Sequence, residues 1–253
     1  METILKARKI LMQAKHVAVF SGAGLSAESG LATFRDPETD ALWAKYDPIE
    51  LASRNGFHAD PERVMDWYAW RRRKLAEAKP NPGHFALAKY PNLIQITQNV
   101  DNLLEQAGVA NKHINHLHGE IIKDHCDALC GYSETIHLEN APLLRTCPSC
   151  QQAYMRPSVV WFGEALPDQT WQASEQLCRV IDCLLVIGTS ATVYPAAGLI
   201  DIAQQNDAKV ILLNTQESPV SGLADIEMIG PSGEILPQLL DELKISSYSR
   251  SFK

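Results

Sequence analysis

Four short apolar runs punctuate the chain. They are Val17-Ala18-Val19-Phe20, Leu93-Ile94-Gln95-Ile96-Thr97, Cys183-Leu184-Leu185-Val186-Ile187-Gly188 and Val210-Ile211-Leu212-Leu213-Asn214. Each is too short for a buried helix and ends at turn-forming or polar residues, so each reads as a buried strand. Residues 3–15 carry apolar positions at helical spacing and predict an amphipathic helix. Gly83 to Lys89 and Pro195 to Gln205 predict helices between the later strands. Strands alternating with helices predict an α/β fold with a parallel sheet.

Two segments interrupt that rhythm. Residues 34–82 carry no strand signal and read as irregular loop followed by a helix from about Pro61 to Ala78. Residues 119–158 hold four of the six cysteines and little that is periodic. Both read as insertions that together build a small second domain. Beyond Leu243 the chain turns polar, and residues 246–253 read as a frayed tail.

The bulk properties narrow the class. At 253 residues the chain approaches the upper limit of one hydrophobic core, so a large domain with a smaller satellite is expected. Net charge is −7, and Arg71-Arg72-Arg73-Lys74 is the one basic run, which argues against a nucleic-acid partner. No apolar run approaches the ~18 residues needed to cross a bilayer. Met1 to Lys6 lacks the apolar centre of a secretory leader, which predicts a cytoplasmic protein. In that compartment paired cysteines serve as metal ligands more often than as disulfides.

The cysteine spacing is specific. Cys126-x3-Cys130 and Cys147-x2-Cys150 are sixteen residues apart, a separation that wraps one tetrahedral Zn²⁺ as four thiolates. Gly131 and Pro148 suit the knuckle turns. An all-sulfur ligand set leaves no open position for substrate, so the zinc is expected to be structural. Cys178 and Cys183 fall on a predicted helix and strand and read as small buried hydrophobes.

Gly22-Ala23-Gly24-Leu25-Ser26-Ala27-Glu28-Ser29-Gly30 follows the first strand. Glycines there suit a tight turn and close approach of a pyrophosphate, although a ligand-free strand-to-helix turn has the same composition. Gly188-Thr189-Ser190 and Asn214-Thr215 end two further strands. Ligands of open α/β sheets bind at the carboxyl ends of strands, so the three sites together favour a dinucleotide.

These residues resemble the sirtuin family of NAD-dependent protein-lysine deacylases. The resemblance rests on the glycine loop, Thr33-Phe34-Arg35, Thr97-Gln98-Asn99-Val100-Asp101, His118-Gly119 and the cysteine quartet. It also rests on Arg156-Pro157 with Val159-Val160-Trp161-Phe162-Gly163-Glu164 and on Gly188-Thr189-Ser190, all in the family's order. The resemblance implies a Rossmann-like domain over residues 1–33, 83–118 and 159–245. It implies a helical insertion with a cofactor-covering loop over 34–82 and a zinc module over 119–158. NAD as co-substrate would meet Gly22, Ala23, Gly24, Glu28, Phe34, Arg35, Gln98, Asn99, Asp101, Gly188, Thr189, Ser190, Asn214 and Ser232. Asp101 would hold the nicotinamide carboxamide. Val160, Trp161, Phe162, Gly163 and Glu164 would pair with the backbone of an acyl-lysine protein substrate as an added strand.

The same resemblance gives His118 a role, with Asn99 beside it. The substrate's acyl oxygen displaces nicotinamide from the ribose, and a ribose hydroxyl must then lose a proton. An imidazole with a pKa near 6.5 takes that proton at neutral pH. The products would be free lysine, nicotinamide and O-acyl-ADP-ribose. His113, His116 and His125 read as structural or exposed.

The acyl group is addressed by Asp66-Trp67-Tyr68-Ala69-Trp70-Arg71. Tyr68 and Arg71 are three apart and share a helix face, where a phenol and a guanidinium can bind a carboxylate. The pair is similar to the Tyr-x-x-Arg of class III sirtuins, which implies succinyl-, malonyl- and glutaryl-lysine substrates, with acetyl-lysine also accepted. Ala52, sixteen residues before Tyr68, matches the small residue that widens the acyl pocket of that class. Asp36, Ala41 and Glu120 depart from the family's usual residues; Glu120 either lies close to His118 and raises its pKa or points to solvent. A mono-ADP-ribosyltransferase or NAD hydrolase on the same fold is the competing enzyme reading. A non-catalytic NAD-sensing module is the competing reading of another class. The chain is expected to be a monomer.

Overall fold

A computed structural model of the chain describes residues 2–31 and 47–243. The expectations placed on Phe34, Arg35, Asp36, Ala41 and the tail lie outside these residues. The strands are β1 (Val17–Ser21), β2 (Ile94–Thr97), β3 (Ile114–His116), β4 (Gly119–Cys126), β5 (Ser133–Thr135), β6 (Met155–Val159), β7 (Cys183–Ile187), β8 (Lys209–Asn214) and β9 (Ile226–Ile229). The helices before β2 are α1 (Glu2–Gln13), α2 (Gly24–Ala27), α3 (Pro48–Leu51), α4 (Arg54–Ala59), α5 (Pro61–Glu77) and α6 (Pro82–Ala88). After it come α7 (Leu103–Ala107), α8 (Asp168–Cys178), α9 (Gly198–Gln205) and α10 (Ser232–Leu240).

Six strands form one parallel sheet in the order β3-β2-β1-β7-β8-β9. Counted among themselves along the chain, they run 3-2-1-4-5-6, the doubly wound Rossmann order. Helices cover both faces, so β1, β2 and β7 are buried throughout; β7 is wholly apolar, whereas β1 and β2 also bury Ser21, Gln95 and Thr97. Alternate residues feed opposite cores. Val17, Val19, Leu185 and Ile187 pack with Leu11, Leu87 and Leu236 of α1, α6 and α10. Ala18, Phe20, Leu184 and Val186 pack with Leu177, Leu199 and Ile200 of α8 and α9.

The second unit joins the two insertions. β5, β4 and β6 form an antiparallel sheet with β4 in the centre. Asp60 caps α5 by accepting from the amide of Arg63, and Pro61 occupies its first turn. The buried side of α5 presents Val64, Met65, Tyr68 and Leu75 to a core shared with Ile121 of β4, Val159 of β6 and Trp161. Arg72 of α5 and Asp124 of β4, both fully buried, meet at 2.5 Å. The insertions therefore fold against each other through an apolar core locked by the buried Asp124, which pairs with Arg72 and also with Arg145 at 2.8 Å, so that its loss would strand the Arg72 charge.

The helix expected from Pro195 begins instead at Gly198, after a turn. The insertion before β2 holds α3 and α4 as well as the expected long helix. Strands β3, β4 and β9 were not marked by apolar runs: β3 carries Asn115 and His116, and β9 carries Glu227.

Candidate active site

His118 follows β3, whose parallel pairing with β2 brings it beside the carboxyl end of that strand. Its Nδ1 lies 3.1 Å from the main-chain oxygen of Gln98. A carbonyl oxygen only accepts, so Nδ1 carries the hydrogen and Nε2 presents its lone pair. Burial lowers the His118 pKa from its usual value, against the pull of the Gln98 bond. The ring is therefore neutral at pH 7 and competent as a base. Gly119 has φ +77°, and a Cβ there would stand 2.0 Å from the Ser158 oxygen, so the residue after the base must be glycine.

His116 holds the neighbouring peptide. Its Nδ1 donates to the Asn99 oxygen at 3.1 Å, and its Nε2 lies 2.9 Å from Glu105 Oε1. Both nitrogens donate, as an imidazolium does. Burial opposes that charge, but the hydrogen bond and charge of Glu105 outweigh it and raise the pKa. Two histidines thus grip successive carbonyls, one neutral and one charged. His116, expected to be structural or exposed, is half-buried in a specific network that spacing alone did not reveal.

The polar side chains at the sheet's carboxyl edge converge. Asn99 donates to Ser26 Oγ at 3.1 Å, and Ser26 donates to Asp101 Oδ2 at 2.9 Å. Asp101 Oδ1 also accepts from the Leu103 amide. Burial raises the Asp101 pKa, and those two bonds counter it. Gln98 donates to Thr189 Oγ1 at 2.8 Å, and Asn214 donates to the Thr189 oxygen at 2.9 Å. Ser190 Oγ meets Thr192 Oγ1 at 3.0 Å. The ends of β1, β2, β7 and β8 therefore share one polar surface, the place where doubly wound sheets bind ligands.

The glycine loop differs from its expected form. The amides of Gly22 and Gly24 bond the oxygens of Ile187 and Gly188 at 2.9 and 2.8 Å. A Cβ on Gly24 would lie 2.6 Å from Gly188 Cα, and Gly188 itself sits at φ +59°. These glycines let two loops lie backbone against backbone, and their amides are spent there. Glu28 accepts from Ser232 Oγ at 3.0 Å and from the Gly233 amide at 2.7 Å, capping α10. The reading of Glu28 and Ser232 as cofactor contacts rests on the resemblance.

The four sulfurs of Cys126, Cys130, Cys147 and Cys150 lie within 4.8 Å of one another. Cys126 and Cys150 are 3.6 Å apart, and Cys130 and Cys147 are 3.7 Å apart. A tetrahedral zinc with bonds of about 2.3 Å sets its sulfurs about 3.8 Å apart, so the donor set fits the ion. Around it Cys126, Cys147 and Met155 form a core of only three buried residues, too small to hold the module by itself. Cys178 and Cys183 are buried, and burial pushes both thiols up to about 12, as inert core cysteines require.

The acyl-selecting pair sits on α5. Tyr68 is fully buried, and Trp161 Nε1 donates to its hydroxyl at 2.8 Å. The phenol oxygen thus accepts from the indole and keeps its own hydrogen to donate. Arg71 stacks on Trp67 and Tyr68, with Cζ 4.9 and 5.6 Å from the two ring centroids. Burial lowers the Arg71 pKa, and Tyr68 and Asp101 oppose that shift. Ala52 is buried in the same core, and its oxygen accepts from the Phe162 amide at 2.8 Å.

The family model described as the Sir2 family matches residues 22–195. The chain belongs to the Sir2 family. It is similar to an "NAD-dependent protein deacylase" of Mycobacterium tuberculosis, 44% identical over 234 residues, covering 90% of this chain and 97% of the relative. It is also similar to "NAD-dependent protein deacylase 2" of Pyrobaculum aerophilum, 41% identical over 241 residues, covering 93% of this chain and 94% of the relative. Among solved structures it resembles a "Sir2 homolog-NAD complex" at TM-score 0.87 and 39% identity, covering 94% of this chain and 93% of that one.

Glu120, for which the sequence left two alternatives, pairs its carboxylate with Lys123 at 2.5 Å. The segment expected to pair with a substrate backbone, residues 160–164, is itself irregular. β6 ends at Val159, the amides of Val160, Trp161 and Phe162 bond His118, Glu164 and Ala52, and Gly163 turns at φ +86°. A cleft of about 760 Å³ runs beside this turn, lined by Arg54, His125, Arg156, Val160, Phe162 and Glu164 among others. No helix among the described residues is long and apolar enough to cross a membrane.

Proposed function

We propose that this Sir2 chain is an NAD-dependent protein-lysine deacylase that removes succinyl, malonyl and glutaryl groups and also accepts acetyl-lysine. Family membership and the names of its relatives support the deacylase activity. The observation that carries the acyl preference is the placement of Arg71 against Tyr68. A guanidinium stacked beside a phenol that keeps its O–H suits a carboxylate at the end of an acyl chain.

NAD, when bound, supplies the ribose carbon that receives the acyl oxygen as nicotinamide leaves. In this reading Gln98, Asn99, Asp101, Ser190 and Asn214 orient it along the polar edge of the sheet. Asp101, bridged to Asn99 through Ser26, holds the nicotinamide amide. His118 Nε2 takes the proton of a ribose hydroxyl, while its Nδ1–H bond to Gln98 fixes the ring. Arg71 and Tyr68 hold the acyl carboxylate, and the cysteine quartet clamps the module with one structural Zn²⁺. One water is consumed in releasing the amine, and the products are free lysine, nicotinamide and the O-acyl-ADP-ribose.

The test is a panel of matched peptides bearing acetyl-, succinyl-, malonyl- and glutaryl-lysine, with and without NAD, followed by mass. NAD-dependent loss of the acidic groups is the expected result. Nicotinamide release without any acyl-lysine would instead favour an NAD hydrolase or ADP-ribosyltransferase.

A further inference from the structure

Trp161 is held at three points. Its amide donates to Glu164 Oε2 at 2.9 Å, and its indole N–H donates to the Tyr68 hydroxyl at 2.8 Å. Its ring lies under the Arg156 guanidinium, whose Cζ is 4.0 Å from the ring centroid. Arg156 is itself clamped. Its Nη2 donates to Glu164 Oε1 at 2.5 Å, and its Nε lies 3.2 Å from Asp127 Oδ1. The Arg156 side chain is only 5% exposed, so these charge pairs escape most solvent screening.

Asp127 closes the other end. It follows the zinc ligand Cys126 directly, and its amide donates to the Tyr154 oxygen. Its Oδ2 meets His58 of α4 at 2.7 Å, and its main-chain oxygen accepts from Arg54 at 2.8 Å. A continuous line of contacts therefore runs from the zinc knuckle through Asp127, Arg156, Glu164 and Trp161 to Tyr68.

We propose that Arg156 is a positioning residue for acyl recognition, which holds the Tyr68 hydroxyl in place through Glu164 and Trp161 and anchors that arrangement to the zinc knuckle through Asp127. The inference rests on the reading of Tyr68 as a carboxylate ligand. Without Arg156 the Trp161 ring loses its cation–π cover and Glu164 loses its partner. The indole then ceases to fix the phenol oxygen. An acidic acyl group depends on that phenol, whereas an acetyl group is too short to reach it, so the loss is selective.

The test compares Arg156→Gln, Arg156→Lys and Asp127→Asn with the unsubstituted enzyme. KM and kcat are measured for succinyl- and acetyl-lysine peptides at saturating NAD. Equilibrium binding of a labelled succinyl-lysine peptide is followed by anisotropy, and zinc content is assayed. For Arg156→Gln the expected result is a rise of about tenfold in the succinyl KM and Kd, the scale of one charge-assisted hydrogen bond. The succinyl KM should rise at least about threefold more than the acetyl KM and zinc should be retained, with Arg156→Lys recovering part of the loss. Equal losses on both peptides, or none, overturn the proposal. Should Arg156→Gln fail to fold, Asp127→Asn decides by the same readouts. Arg71→Met run in parallel separates the two ideas. If it leaves succinyl selectivity intact, the carboxylate reading falls and takes this inference with it. If it abolishes selectivity and the Arg156 variants do not, only the role of Arg156 falls.

Discussion

The main-chain oxygen of Gln98 accepts the Nδ1 hydrogen of His118 at 3.1 Å, which fixes the tautomer that leaves Nε2 basic. With the His118 pKa lowered by burial, protonation below that value removes the lone pair. The pH profile of kcat/KM should therefore show an acid limb whose midpoint lies below the ordinary histidine value of 6.5. The rate should be flat from there through neutrality. His118→Tyr should lower every deacylation by roughly 10²-fold or more, the usual contribution of a positioned base. NAD-dependent turnover that persists in that variant would remove His118 from the role.

Arg71→Met keeps the length and apolar body of the side chain over Trp67 but deletes the charge. Loss of a charge-assisted, two-pronged contact should cut succinyl-lysine kcat/KM by roughly 10- to 100-fold. Acetyl-lysine kcat/KM should change by less than about threefold. Matched peptides measured at one NAD concentration read this ratio directly, and a parallel fall in both activities would contradict it.

The zinc module has three buried core residues and two cysteines on each of its knuckles. Cys130→Ser, at the exposed ligand, should release the metal and melt this segment first, because its own apolar core cannot replace the ion. Calorimetry should show a lower Tm, and metal analysis should show substoichiometric zinc. An unsubstituted protein that carries no zinc, or a variant whose Tm is unchanged, would mean that no ion holds this module together.

What was legible in the sequence had local causes. β7 and the centre of β8, Val210 to Leu213, stood out because both faces are covered, so every one of those positions is apolar. The cysteine quartet stood out because ligand spacing is a property of the chain itself. β3 escaped notice because it is three residues long and ends on His116, which the fold uses to hold Asn99. The link from Asp127 to Arg156 to Glu164 was invisible for a different reason. Each residue is unremarkable alone, and only the pairing of β4 with β6 and the turn at Gly163 bring them together. Glu120 was ambiguous in sequence, close to His118 or turned away; the strand geometry pairs its carboxylate with Lys123 and sets it near His116 and Glu105.

His84 provides a measure of acid stability separate from the active site. It is fully buried in the first turn of α6, where its Nδ1 accepts from the Asn81 amide at 3.3 Å and completes a capping box. Burial lowers its pKa from 6.5 to about 4. The folded state thus keeps the ring neutral where the unfolded chain protonates it. Stability from this group is full above about pH 6.5 and falls as the pH drops toward 4, because the unfolded state then binds the extra proton. The loss amounts to about 2 kcal/mol at pH 5. His84→Gln can still accept the Asn81 amide but does not titrate. Urea unfolding at pH 7.5 and pH 5 should give the unsubstituted protein the larger decrease, with the difference near that amount. Identical pH dependence in the two proteins would mean that His84 is solvated or already charged in the fold.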